Sequence, residues 1–161
     1  MRYLISLIVE NKHGVLAKIS QVITGRGYNI VTLSVGPSYQ EDTSRMVISF
    51  DCDDKVIQQV AKQLNKLIDV IKVFLIDDKD SVERELVLMK VARKKETEES
   101  LFRIVEIYNG KIINVGAKSF VIELSQHPDM IVDFIENIRP FGIQDLLRTG
   151  PLVLMKGNSK E

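Results

Sequence analysis

Side chains suited to nucleophilic or soft-metal chemistry are scarce in this sequence. Its 161 residues include one cysteine, Cys52, and two histidines, His13 and His127. A lone cysteine cannot close an intramolecular disulfide, and none of the three stands at metal-ligand spacing from another. Cys52, near a strand end, reads as a small packed hydrophobe, and the two histidines read as solvated loop residues. Net charge is also missing. Twenty-two Lys and Arg balance twenty-two Asp and Glu, so no cationic excess would draw the chain to a phosphate backbone or an anionic bilayer. Nucleic acid is therefore not an expected partner. No apolar run approaches the roughly 20 residues that span a membrane. Met1 leads into the apolar Leu4 to Val9 without the pattern of a signal peptide, so the expected location is the cytoplasm.

The clusters that do occur have ordinary explanations. Asp51, Asp53 and Asp54, and Asp77, Asp78 and Asp80, lack the glycine and distal glutamate of a calcium loop, so no metal site is expected. They read as solvated turns, with Asp53 placed to cap the helix that follows. Gly25 and Gly27 follow a helix instead of preceding one, which suits a C-terminal stop and not a dinucleotide or phosphate loop. Arg93, Lys94 and Lys95 run straight into Glu96, Glu98 and Glu99, with no aromatics interleaved for base stacking. No catalytic residue emerges.

The composition is that of a globular protein, 45% hydrophobic and 27% charged. Tyr3 to Val9 reads as a strand. Val15, Leu16, Ile19, Val22 and Ile23 then recur at helical spacing. Val31, Leu33 and Val35 alternate, as do Met46, Ile48 and Phe50 after a polar turn. Val56, Ile57, Val60, Leu64 and Leu67 predict a second helix, and Val70 to Ile76 a fourth strand. After the polar break at Asp77 to Ser81 the order repeats. A strand at Glu85 to Val91 precedes a helix stripe at Leu101, Ile104, Val105 and Tyr108. Strands at Ile112 to Val115 and Phe120 to Leu124 follow, then a helix on Ile131, Phe134, Ile135 and Ile138 closed by Pro140, and a last strand after Gly142. The expected fold is α+β: two tandem ferredoxin-like βαββαβ domains, residues 1–79 and 80–161, with antiparallel sheets and helices on one face. Apolar residues on both faces of the first strand call for additional cover, and a second copy would supply it, giving a homodimer or higher homo-oligomer.

The loop from Asn11 to Leu16 alone suggests a ligand. It feeds directly into a helix, whose N-terminus exposes unpaired N–H groups and the positive end of a dipole, and Gly14 permits close approach to the backbone. An amino-acid carboxylate fits there, with the Asn11 amide oxygen available to an ammonium group. A plain turn and N-cap would use the same residues.

A wider pattern adds to this loop. Val9-Glu10-Asn11-Lys12-His13-Gly14-Val15-Leu16-Ala17-Lys18-Ile19, Arg26-Gly27-Tyr28-Asn29-Ile30 and Ser44-Arg45-Met46 resemble the small regulatory subunit of acetolactate synthase, which begins with an ACT domain. Lys62 to Val70 and Ser81 to Leu86 are similar to that family's second helix and interdomain junction. The resemblance implies a regulator without catalytic residues that activates a separate catalytic large subunit and confers feedback inhibition by a branched-chain amino acid, chiefly valine. Thiamine diphosphate, Mg and FAD would belong to the partner, and this chain would carry no cofactor. It further implies an effector held between two ACT domains by Asn11, His13, Gly14, Val15 and Leu16 of one copy and Asn29 and Ile30 of the other. Val15, Leu16 and Ile30 would surround a small apolar side chain. His13 stands where many relatives carry Pro or another small residue. The alternative is a free-standing amino-acid sensor with no synthase partner. The surface that meets a synthase is expected on the second domain, whose final Leu152-Val153-Leu154 has no evident internal use.

Overall fold

A computed structural model describes residues 1–77 and 79–157, so Asp78 of the second acidic cluster lies outside the described residues. The chain forms two compact units, Met1–Val82 with the segment from Leu152 onward, and Glu83–Pro151.

In the first unit, β1 (Arg2–Glu10), α1 (Val15–Thr24), β2 (Ile30–Pro37), β3 (Thr43–Asp51), α2 (Asp54–Leu64) and β4 (Val70–Leu75) follow one another. The sheet order is β2-β3-β1-β4 with every pair antiparallel, the ferredoxin-like arrangement. The helices form because each carries one apolar stripe. Val15, Ile19 and Ile23 of α1, and Ile57, Val60 and Leu64 of α2, lie buried against Ile5, Leu7 and Val9 of β1 and Met46, Ile48 and Phe50 of β3. Each such aliphatic side chain contributes about 1.5–3 kcal/mol on burial. The helix-free face is covered in part by the chain's own end: Val153 is buried with Leu4 and Val47, and Ile76 packs beside them. That corrects two expectations. The final segment has an internal use, and part of the cover for the first sheet comes from the same chain.

The second unit repeats the plan with β5 (Ser81–Ala92), a 3₁₀ turn at Lys95–Thr97, α3 (Glu98–Ile107), β6 (Lys111–Val115), β7 (Ser119–Gln126), α4 (Pro128–Gly142) and β8 (Ile143–Arg148). Its sheet order is β6-β7-β5-β8, again antiparallel. Val87, Met89, Val91, Phe120, Ile122 and Leu124 meet Leu101, Val105, Ile131, Phe134 and Ile138 in a second core. The short β9 (Leu152–Met155) belongs to the first unit, where the Lys156 N–H that follows it donates to the Asp80 carbonyl at 2.8 Å.

Some terminators differ from the sequence expectation. Pro140 lies inside α4, which runs on to Gly142, where φ is +92°. Pro140 has no N–H for the Glu136 carbonyl four residues back, so α4 forgoes one backbone bond there and ends two residues later. Asp53 occupies the N-cap of α2, but its side chain makes no capping hydrogen bond. His127 is more than a solvated loop residue, since its Nδ1 accepts the Asp129 N–H at 3.4 Å at the start of α4.

Candidate effector-binding site

The connection between β1 and α1 is four residues long, Asn11 to Gly14, and its geometry turns on Gly14. That residue has φ +83° and ψ −6°, in the left-handed region, with no side chain capping the helix and no acidic residue in the first turn. A Cβ on Gly14 would meet nothing within 4 Å, so glycine is favoured there by backbone conformation and not by crowding. Apart from the Val15 N–H, which donates to the Lys12 carbonyl at 3.4 Å, the first turn of α1 presents its backbone amides with no acidic residue of its own, and the helix dipole adds positive potential. Asn11, Lys12, His13 and Gly14 are all exposed around this end, and Leu16 is 42% exposed.

Val15 behaves differently from the sequence expectation. It is buried in the first core at 3% exposure, and its N–H donates to the Lys12 carbonyl at 3.4 Å. Of the two residues, only Leu16 presents its side chain to solvent at this strand-helix junction. Periodicity had already put Val15 on the buried stripe, and the two roles exclude each other.

Neighbouring segments fix the loop. The Asn11 N–H donates to the Asp42 carbonyl at 2.7 Å, tying it to the β2–β3 turn. Asp42 itself has φ +57°, a conformation Asp tolerates better than most residues. On the other side, the Glu10 N–H donates to the Asp69 carbonyl at 2.9 Å, and the Asp69 Oδ2 accepts from Lys18 Nζ at 2.6 Å. Lys12 Nζ donates to Glu10 Oε2 at 2.7 Å, which holds the Lys12 ammonium above its usual pKa. Sequence reading missed Asp42 and Asp69. Asp42 acts through its backbone carbonyl, which leaves no mark on residue type, and the Asp69 carboxylate acts on Lys18, 51 positions away.

Asn29 and Ile30 are not part of this constellation within one chain. Ile30 lies opposite Phe50, which lies opposite Tyr3, at the start of β1. The Asn11 loop follows Glu10 at the other end of the same strand, roughly 25 Å away at about 3.3 Å per residue. The far end of β2 is the near one, because Pro37 pairs with Ser44, next to the Thr43 that pairs with Glu10.

Elsewhere in the unit a groove of about 520 Å³ opens where α1 and α2 end, lined by Gln21, Val22, Gly25, Arg26, Lys66 and neighbours. Helix C-termini there present carbonyls, which Arg26 and Lys66 offset. Among the described residues no three His, Cys, Asp or Glu side chains gather as a metal site, and no helix is long and apolar enough to cross a membrane. Burial pushes the Cys52 thiol above its usual pKa, the wrong direction for a nucleophile.

Comparison with known proteins decides the family. Residues 5–72 match the ACT domain of the small subunit of acetohydroxyacid synthase, and residues 84–157 match the small subunit of acetolactate synthase. A probable acetolactate synthase small subunit from Archaeoglobus fulgidus is 42% identical over 160 residues, covering 99% of this chain and all of that one. The chain belongs to the acetolactate synthase small-subunit family. The small subunit of Aquifex aeolicus is likewise 42% identical, over 96% of this chain and 81% of its own. A crystal structure of the Thermotoga maritima small subunit superposes with a TM-score of 0.92 at 36% identity, over 99% of each chain. Both halves of the fold are thus those of the small-subunit family, and the uncapped Gly14 junction lies within the matched ACT segment.

Proposed function

We propose that this chain is the regulatory subunit of an acetolactate synthase: it activates a catalytic large subunit in the cytoplasm and confers feedback inhibition by valine or another branched-chain amino acid. The observation that carries the reading is the uncapped, acid-free start of α1 at Gly14, exposed beside the Asn11 amide. An α-amino acid offers the complement, a carboxylate for the helix amides and an ammonium for the Asn11 oxygen.

The register of the sheet supports a two-copy site. β2 is an edge strand with Val31 at 56% and Val35 at 48% exposure, a surface that favours pairing with another strand. If two copies pair antiparallel through β2 about a two-fold axis, the Ile30 end of one strand lies beside the Pro37 end of the other. That brings Asn29 and Ile30 of the second copy towards Asn11, His13, Gly14 and Leu16 of the first, with Leu16 and Ile30 left to meet a small aliphatic side chain. Valine seated across such an interface has different contacts in different assemblies, which is what allows it to shift a two-state equilibrium. A coupling of about 1–3 kcal/mol gives a 5- to 150-fold effect. The carbon–carbon chemistry and its thiamine diphosphate, Mg and FAD stay with the catalytic subunit.

Acetolactate formation by the matching catalytic subunit, with and without this chain and across a valine titration, tests the reading. Activation that valine reverses is expected. An unchanged rate and valine response would favour a free-standing sensor instead, for which ligand would raise this chain's own stability without affecting any synthase.

A further inference from the structure

Four links close a ring around the β1–α1 loop. The Glu10 N–H, at the end of β1, donates to the Asp69 carbonyl at 2.9 Å. The carboxylate of the same Asp69 accepts from Lys18 Nζ at 2.6 Å. The Lys18 N–H donates to the Gly14 carbonyl at 3.0 Å. The loop from Glu10 to Gly14 completes the circuit. Asp69 lies between α2 and β4, far from the loop in sequence, and its side chain is only 17% exposed, against 57% for Lys18.

We infer that Asp69 and Lys18 are positioning residues for the effector loop: their ion pair sets the spacing between the end of β1 and the first turn of α1, and so the aim of the α1 amides at the effector carboxylate. This inference rests on the proposed site and deepens it. Neither side chain needs to touch the effector. Gly14 permits wide backbone freedom, so a loop hinged on it requires an outside constraint to keep one geometry; the Asn11 N–H to the Asp42 carbonyl holds its entrance, and the Lys12 N–H to Glu10 and Val15 N–H to Lys12 carbonyl bonds are short-range turns within it. The ring supplies the constraint at the exit. Preorganisation of this kind lowers the ordering cost of binding and leaves the contacts themselves unchanged.

An electrostatic alternative makes the opposite prediction for one variant. If Lys18 acted only by its field, releasing it from Asp69 would draw the effector carboxylate more strongly. An amino acid is a zwitterion with no net charge, so the field effect is second order and geometry dominates.

The test is a valine titration of the reconstituted holoenzyme carrying Asp69→Asn, Lys18→Met, both together, or Asn11→Ala in the small subunit, each normalised to its own rate without valine. Each single change of the pair should raise the half-inhibitory valine concentration about two- to five-fold, the range of a partly exposed ion pair. The double variant should show no more than the larger single shift, and maximal inhibition should stay the same. A general loosening of the unit would give additive shifts and overturn the inference. So would tighter valine inhibition in Asp69→Asn, or unchanged inhibition in both single variants while Asn11→Ala shifts it. If Asn11→Ala leaves the valine response untouched, the site itself fails and the positioning role with it. Lys18→Met alters an exposed side chain, so it remains informative should Asp69→Asn not fold.

Discussion

In the first unit the chain passes from β1 into α1 through Gly14, and α1 starts with neither a capping side chain nor an acid in its first turn. At the equivalent junction of the second unit, β5 passes into α3 through a 3₁₀ turn, and α3 opens on Glu98 and Glu99. There Arg93 Nε donates to Glu98 Oε1 at 2.6 Å, and the same guanidinium lies 5.3 Å from the centroid of the Phe120 ring. Both helix starts carry positive partial charge. The second unit meets that charge with its own carboxylates, while the first has none in its first turn. One fold, used twice, thus has one self-neutralised junction and one open one, and the difference lies in a few residues that barely affect the core. A similar contrast separates the sheets. The helix-covered face of β1 is apolar at Ile5, Leu7 and Val9, whereas β5 begins the same face with buried Glu83 and Glu85.

The sharpest way to break the first contrast is to give the open junction its own carboxylate. Gly14→Asp should abolish valine feedback while leaving the protein folded. No atom lies within 4 Å of a Cβ at that position, and Asp is among the residues that tolerate a left-handed backbone. Retained valine inhibition in a folded Gly14→Asp protein would contradict an effector at this helix start. The second contrast predicts the next largest effect. Arg148 makes paired hydrogen bonds of 2.7 and 2.9 Å to Glu85, which hold its guanidinium above the usual pKa. Arg148→Ala leaves a buried carboxylate unpaired and should cost about 2–4 kcal/mol in urea unfolding. A loss below about 1 kcal/mol would mean that solvent at the half-exposed Arg148 screens the pair.

Much of this comparison is legible in the sequence. The two βαββαβ orders follow from period-2 and period-3.6 spacing of apolar residues, because burial on one face is what both element types need. Gly14 and Asn11 stand out for the same local reason, a glycine at a strand-to-helix joint. What could not be read depends on distant partners. Asp69 reaches Lys18 from 51 positions away, and nothing in either segment marks the other. Val15 satisfied both a core stripe and a ligand loop on paper, and only the folded helix decides between them. Val153 looked idle because its partners, Leu4 and Val47, come from the opposite end of the chain. The last case predicts that the first unit depends on the final strand. Val153→Ala should destabilise it by about 1–2 kcal/mol through lost apolar burial. Hydrogen exchange would register the change in β1 and β3 more than in α3 and α4.

The smallest expected effect concerns the self-neutralised junction. Glu98→Gln removes a charge from the first turn of α3 and weakens the bond from Arg93, but Arg93 keeps the Gly116 carbonyl, which it reaches at 3.2 Å, and the Phe120 ring. Glu99 remains to face the helix dipole. The penalty should therefore be no more than about 0.5–1 kcal/mol, and smaller at high salt. The variant also asks whether opening this junction makes it resemble the first. It should not acquire a second amino-acid response, because the chain enters α3 through Thr97 and not a left-handed glycine, and the Arg93 guanidinium near the helix start would repel a ligand's ammonium. A second phase of valine inhibition in Glu98→Gln would mean that the helix start alone suffices, and that the loop geometry around Gly14 matters less than the charge it exposes.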